Sequence, residues 1–133
     1  MEEKALEAIG VSREPSAIDS SILVTFPYQY PHRRIEVIHE CEEFSCLCPF
    51  SSLPDFAKIT IRYVPDKNCV ELKSFKYYLF AYRQVKIFHE HVVNKILEDL
   101  VKILDPVEME IFGEFNIRGG ILTKADAKYH KSP

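Results

Sequence analysis

The stretch from Phe56 to Val64, FAKITIRYV, alternates between apolar and polar side chains. Every second residue is apolar and points to one face of an extended chain: Ala57, Ile59, Ile61 and Tyr63. The residues between them are polar: Lys58, Thr60 and Arg62. A period of two with one apolar face is typical of antiparallel strands, so we predict a half-buried antiparallel strand here.

The period of the apolar residues changes after the predicted turn at 65–68. From Leu72 to Leu104 they recur at helical spacing in two stripes, of which the stronger runs from Phe88 to Leu104. The segment Arg83-Gln84-Val85 lies between the stripes and is the predicted break. Asp105-Pro106 is predicted to stop the second helix, because proline cannot continue it.

Strands are predicted on both sides of the helices. Ser21–Phe26 and Arg34–Glu40 precede them, while Val107–Phe115 and the short Ile121–Leu122 follow. The order of strands, two helices and strands predicts an α+β fold with an antiparallel sheet and both helices on one face. The edges of this short sheet need cover, and edge-to-edge association of subunits is one solution.

Length and composition predict one domain. The chain has 133 residues, of which 47% are hydrophobic and 28% charged, as is usual for a globular protein with a real core. We predict a flexible N-terminal arm over residues 1–20, a folded domain over 21–122 and a polar tail that frays over 123–133.

Charge and hydropathy predict a cytoplasmic protein. A net charge of −3 disfavours a nucleic-acid-binding surface, which usually carries a basic excess. The charged start shows no signal peptide, and no run approaches the roughly 18 apolar residues of a membrane span. Four cysteines are then expected as reduced thiols: Cys41, Cys46, Cys48 and Cys69.

A proline-flanked loop, CLCPFSSLPD at 46–55, carries a thiol and a carboxylate. Pro49 and Pro54 exclude regular structure there. Cys48 at one end and Asp55 at the other suit covalent chemistry, in which the thiolate attacks and the acid moves protons. A structural loop with a buried cysteine and a capping aspartate is the alternative.

Two basic segments could bind an anion such as phosphate. Lys73 and Lys76 share a face at the start of the first helix and lie near Ser74 and the helix N-terminus; a solvated basic face is the alternative. Arg118-Gly119-Gly120 could bring a guanidinium and backbone to a phosphate, or be an ordinary bulge with a surface arginine.

Other familiar sites fit the sequence poorly. Neither G-x-G-x-x-G nor G-x-x-x-x-G-K-[ST] occurs, which excludes a Rossmann site or a P-loop. The cysteines lack the C-x₂-C spacing of structural zinc sites, so no metal is predicted. At the start of the second helix His89 or Glu90 could face a pocket, although an acid there is also ordinary.

Together these pieces resemble the single-domain NADPH-dependent 7-cyano-7-deazaguanine reductases, the nitrile reductases of queuosine biosynthesis. The matching pieces are Leu47-Cys48-Pro49, Pro54-Asp55-Phe56, Glu71-x-Lys73-Ser74-x-Lys76-x-Tyr78, Phe88-His89-Glu90 and Phe115-x-x-Arg118-Gly119-Gly120-Ile121. The resemblance spans Phe44 to Ile121. It implies the tunnelling fold, whose subunits join into β-barrel rings with active sites at subunit interfaces.

The resemblance also implies roles for individual residues. Cys48 would be the nucleophile that forms a thioimide with the nitrile carbon, and Asp55 the acid that handles protons. The implied substrate-binding residues are Val70, Glu71, Leu72, His89 and Glu90. The implied NADPH-binding residues are Lys73, Ser74, Lys76, Arg118 and Gly119. The partners would be a deazapurine and further copies of the chain, with no metal, nucleic acid or membrane.

Two alternatives share the implied fold. One is a zinc-dependent enzyme like GTP cyclohydrolase, which predicts bound zinc. The other is a non-catalytic purine- or pterin-binding protein, which predicts ligand binding without turnover. Cys46 is an extra thiol to which neither the residues nor the resemblance assigns a role.

Overall fold

The computed structural model describes residues 13–132, so residues 1–12 of the predicted arm and Pro133 lie outside the described residues. The elements in chain order are β1 (Thr25–Pro27), β2 (Val37–Leu47), β3 (Pro54–Val64), β4 (Asn68–Val70), α1 (Leu72–Phe80), α2 (His89–Leu104), β5 (Glu108–Arg118) and β6 (Ile121–His130).

A four-stranded antiparallel sheet in the order β2-β3-β5-β6 forms the centre of the fold, and β1 pairs with β4 in a small ribbon. The alternation predicted for 56–64 is confirmed, since Ala57, Ile59, Ile61 and Tyr63 are buried within β3. This inward face shares one hydrophobic core with buried residues of both helices. The structure therefore confirms an α+β fold with an antiparallel sheet.

Both predicted helices are present and end where the sequence indicates. α1 stops at Phe80 and passes through a 3-10 turn, Ala81–Gln84, to the extended Val85, which is the predicted break. α2 ends at Leu104, and its C-cap Asp105 has a φ of 46° that takes the chain out of the helix before Pro106. No helix in the described part of the chain is both long and apolar enough to cross a membrane.

Two predictions about the ends of the domain are wrong. The predicted strand Ser21–Phe26 is a strand only from Thr25, because Asp19 caps a 3-10 turn at Ser20–Ile22. The predicted fraying tail from 123 is instead most of β6, which pairs with β5 as far as His130. Backbone hydrogen bonds and one half-buried face are sufficient for an edge strand, so a polar sequence can form it.

Gly113 lies in β5 beneath α2, where we expect that even a methyl side chain does not fit. A Cβ there would lie 2.8 Å from Cε2 of Phe115 and 3.1 Å from Cγ1 of Val93. We expect Gly113→Ala to lower the free energy of unfolding by roughly 1–3 kcal/mol, because overpacking forces its neighbours to move. Urea unfolding beside the outward-facing control Glu114→Ala measures this, and equal stabilities of the two variants would contradict it.

Candidate active site

The prediction that 46–55 holds no regular structure is wrong at its ends, because Cys46 and Leu47 pair with Asp55 and Pro54 in the β2–β3 ladder and proline is tolerated as the first residue of a strand. The loop itself is residues 48–53. Leu47 donates its N–H to the Val85 carbonyl at 2.9 Å and accepts from Ile87 at 3.1 Å, which ties the end of β2 to the segment before α2. Inside the loop the Cys48 N–H donates to Leu53, and the Ser52 N–H donates to the Cys48 carbonyl, both at 2.9 Å. Cys48 therefore occupies a defined, non-helical position, as its neighbouring proline predicts.

The Cys48 thiol is partly exposed and its environment favours the thiolate. The Ser51 hydroxyl, then the backbone N–H groups of Ser51 and Phe50, hydrogen-bond the sulfur and lower the pKa of Cys48. Burial and the negative charge of Asp55 act more weakly in the opposite direction. Because the thiolate is the reactive form, this sulfur is suited to nucleophilic attack.

Asp55 is a buried carboxylate held through both of its oxygens. It lies on the inward face of β3, and its side chain is only 7% exposed. Nε2 of His89 lies 3.1 Å from Oδ2, and the guanidinium of Arg118 pairs with Oδ1. A buried charge is expensive unless it is paired, so these two partners explain how the carboxylate is tolerated.

His89 is itself fixed by an aromatic ring. It is the first residue of α2, and its imidazole stacks on Phe115 of β5 with ring centres 3.9 Å apart and planes 9° from parallel. Packing thus brings residues from β3, α2 and β5 into contact. The resemblance implies that His89 binds the substrate, whereas in the structure its Nε2 contacts Asp55.

These side chains share a cavity of about 250 Å³. It is lined by Cys48, Pro49, Asp55, Ile87, Phe88, His89, Glu90 and Arg118. A reactive sulfur, a buried carboxylate and a second acid thus face one space. Such a set can add a nucleophile to an electrophilic carbon and move protons at its substituents.

Cys46 differs sharply from Cys48 although only one residue separates them. It is fully buried and lies opposite Asp55 in the β2–β3 ladder. Burial, followed by the charges of Asp55 and Cys48, raises the pKa of its thiol to about 12. Cys46 is therefore a protonated thiol at neutral pH and not a second nucleophile.

The predicted binding segment 70–76 lies outside the Cys48 cavity of the same chain. Val70 is buried, with its N–H bonded to the Tyr63 hydroxyl at 3.1 Å. Leu72 and Lys76 line a different cavity, of about 360 Å³, between α1 and β2. The structure therefore unites Cys48, Asp55, His89, Glu90 and Arg118 but separates them from residues 70–76.

Glu71 and Ser74, two residues of this segment, have structural roles that the sequence did not predict. The Glu71 carboxylate caps α1 by accepting from the N–H groups of Lys73 and Ser74 at 2.7 and 2.8 Å. The Ser74 hydroxyl donates to the Glu71 carbonyl and accepts from the Val24 N–H, both at 2.9 Å. Its capacity for hydrogen bonds is thus largely used within the fold.

The Glu71 cap predicts a pH-dependent stability. Hydrogen bonds from the N–H groups of Ser74 and Lys73 lower the pKa of Glu71 below its ordinary 4.5. The cap therefore stabilises the fold fully above that value, and the effect is lost as the pH falls through the lowered pKa. We expect Glu71→Ala to melt below wild type at pH 7 and the gap to close below pH 4.5. A gap independent of pH, or as large for the exposed control Glu98→Ala, would contradict the cap.

Ser51 and Phe115 are site residues that sequence reasoning missed. A serine three positions after a cysteine in a proline-flanked loop was a signal for Ser51, because serine hydroxyls bond locally in turns. Phe115 begins one of the motifs of the resemblance, but no role was assigned to it, since an inward-facing aromatic residue on a strand is ordinary core. Gly119 and Gly120 form the tight turn that joins β5 to β6, and both have positive φ, 58° and 79°.

The fold and the cavity define an α+β protein with a cysteine–aspartate site of the kind found in enzymes. The family model described as QueF-like protein matches residues 54–133. The chain is 55% identical to the NADPH-dependent 7-cyano-7-deazaguanine reductase of Caldicellulosiruptor bescii over 86% of this chain and 87% of that one. It is 51% identical to the protein of that name from Chloroherpeton thalassium, over 81% and 93%. The chain belongs to the family of QueF-like proteins.

A solved structure agrees with the fold. The archaeosine synthase QueF-Like in the apo form superposes with a TM-score of 0.65 at 19% identity, covering 75% of this chain and 96% of that one. At this identity the likeness supports the α+β architecture alone. The family predicted from the order of the sequence motifs is confirmed by the curated relatives.

Proposed function

We propose that this protein is an NADPH-dependent reductase that converts the nitrile of 7-cyano-7-deazaguanine to the primary amine. The observation that carries the proposal is the Cys48 thiol of lowered pKa, which shares a cavity with Asp55. Relatives more than 50% identical over most of their length bear the name of this activity.

Cys48 makes the nitrile reducible by bonding to it. Its sulfur lone pair forms the C–S bond, while one π pair of the C≡N bond moves to nitrogen, which takes a proton. The resulting thioimide carbon accepts hydride more readily than the nitrile. Asp55 is the proposed carrier of protons to that nitrogen, because it is the buried acid of the same cavity.

The proposed ring contacts come from two places. Glu90 lines the Cys48 cavity, where a carboxylate can accept from the N–H groups of a guanine-like edge. His89 contacts the carboxylate of Asp55, so the proposed part of His89 in substrate binding is indirect. Val70, Glu71 and Leu72 are proposed to contact the substrate from a neighbouring copy of the chain, because within one chain they do not line this cavity.

The residues of α1 fit the anionic groups of NADPH, which supplies the hydrides when it is bound. Lys73 and Lys76 are exposed, and neither forms an ion pair with a described residue. Two free ammonium groups on one helical face suit phosphate. Gly119 is likewise proposed to contact the cofactor. Ser74 fits that role less well, because its hydroxyl is already bonded on both sides.

We further propose that copies of the chain join through the sheet into rings, in the cytoplasm. Strands β2 and β6 are the two ends of the described sheet, and each leaves one edge without a neighbouring strand. Joining these edges would continue the sheet from chain to chain. It would also allow residues 70–76 of one copy to approach the Cys48 cavity of another. The four free cysteines suit a reducing compartment.

The proposal is tested by incubating fully reduced protein with 7-cyano-7-deazaguanine and NADPH. We expect about two NADPH to be oxidised per nitrile and the aminomethyl product to form in equal amount to the nitrile consumed. No nitrile-dependent NADPH oxidation by folded, reduced protein would reject the proposed function.

A further inference from the structure

Arg118 reaches Asp55 because β5 is irregular at its end. Phe115 and Arg118 are three residues apart, so in a regular strand they would face opposite sides of the sheet. The β5–β6 pairing shifts register between these two residues. The shift lets Phe115 stack on His89 while Arg118 pairs with Asp55 on the same side. Irregularities of this kind re-aim side chains next to active sites.

The tight turn that follows fixes where Arg118 stands. Gly119 and Gly120 both have positive φ, and a Cβ at either would meet nothing within 4 Å. These glycines therefore serve the conformation of the turn and not the close approach of another part of the chain. Arg118 pairs with Ile121 across this turn, so its backbone is anchored at the last rung of the hairpin.

The two partners of Asp55 approach from different directions. His89 holds Oδ2 from α2 and is itself immobilised on Phe115, while Arg118 holds Oδ1 from the hairpin. With both oxygens held, the carboxyl group cannot rotate about its Cβ–Cγ bond without breaking a contact. Arg118 is 45% exposed whereas Asp55 is 7% exposed, so the guanidinium closes the solvent side of the pair.

We propose that Arg118 is a positioning residue for the covalent step: together with His89 it fixes the plane of the Asp55 carboxyl group beside Cys48 before NADPH binds. This inference rests on the proposed function. It differs from the role that the resemblance implies for Arg118, which is contact with NADPH. A group that transfers a proton must be held in place, and misplacement by about 1 Å can cost 10²-fold.

The step concerned needs no reductant. The sulfur of Cys48 bonds to the nitrile carbon, one π pair of the C≡N bond moves to nitrogen, and the proton of the thiol ends on that nitrogen by way of Asp55. Nothing is oxidised or reduced. The rate of this addition can therefore be measured without NADPH, which separates the two roles of Arg118.

The experiment follows the covalent adduct by intact-protein mass spectrometry after mixing with 7-cyano-7-deazaguanine alone. We expect Arg118→Gln to form the adduct about 10-fold to 100-fold more slowly than wild type, because the Asp55 carboxylate loses one of the two side chains that fix it. Arg118→Lys should recover part of the rate, since it keeps the charge but not the planar fork. The exposed control Arg33→Gln should match wild type.

The outcomes separate the inference from the proposed function. If wild type forms no adduct, the proposed function fails and the inference with it. If wild type forms the adduct and both Arg118 variants form it equally fast, while only their KM for NADPH rises, Arg118 contacts the cofactor and the positioning role is overturned. Should Arg118→Gln not fold by circular dichroism, Arg118→Lys decides alone: a slower addition supports the inference and an equal rate overturns it.

Discussion

Replacing Cys48 with alanine is expected to abolish nitrile reduction, a loss on the order of 10⁴-fold or more. Without the sulfur there is no thioimide, and the nitrile carbon stays a poor hydride acceptor. The variant should also show no mass increase with 7-cyano-7-deazaguanine alone, although the wild type does. Turnover with NADPH and intact mass without it measure the two effects separately.

Cys46→Ala is the matched control. It removes a thiol from the same strand end, but one that is fully buried and whose pKa of about 12 keeps it protonated at neutral pH. We expect the adduct and turnover to be largely retained, whereas Cys48→Ala loses both. If the two variants exchanged these results, Cys46 would be the nucleophile and the assignment of Cys48 would be wrong.

Asp55→Asn is expected to bind substrate but to slow the chemical step on the order of 10²-fold or more. Asparagine keeps nearly the shape of the side chain and can still accept from Arg118 or His89. It cannot carry a proton to the nitrile nitrogen. The loss should therefore fall on the rate of adduct formation and on kcat, and much less on the affinity for the nitrile.

Binding and chemistry can be separated in a background that cannot react. Calorimetric titration of the nitrile into Cys48→Ala and into Cys48→Ala/Asp55→Asn compares the affinities, and the single variant Asp55→Asn gives the rate. Asp126→Asn, an exposed change on β6, serves as the control. Wild-type turnover by Asp55→Asn would exclude the proton-carrying role, and lost affinity in the double variant would make it a binding residue.

The elements predicted well are those in which burial follows a local period. The alternation from Phe56 to Val64 and the helical spacing from Phe88 to Leu104 each indicate which face of the element packs against the core. Prediction failed for β6, because its partner β5 supplies the hydrogen bonds and only one of its faces is half-buried. Only the short Ile121–Leu122 was predicted as a strand there, and the polar residues from 123 onward were predicted as a tail.

The candidate site was predicted only in part, because the sequence shows only those features that depend on neighbouring residues. Proline spacing and a reactive residue type indicated Cys48 and Asp55, since a rigid loop that carries a thiol can be recognised within a few adjacent residues. The stacking of His89 on Phe115 and the pairing of Arg118 with Asp55 join residues 26 and 63 positions apart. Sequence separation of that size carries no local signal of contact.

The sequence alone indicated the order of strands, two helices and strands, the family, and Cys48 and Asp55 as the candidate pair, because periodicity, proline positions and ordered motifs are properties of the chain itself. Only the tertiary structure decided how that pair is supported. It showed that Glu71 caps α1, that the Ser74 hydroxyl is bonded within the fold, and that the 70–76 segment lies outside the Cys48 cavity. These outcomes depend on which strands and helices pack together, and that packing is set by the whole core rather than by any one segment.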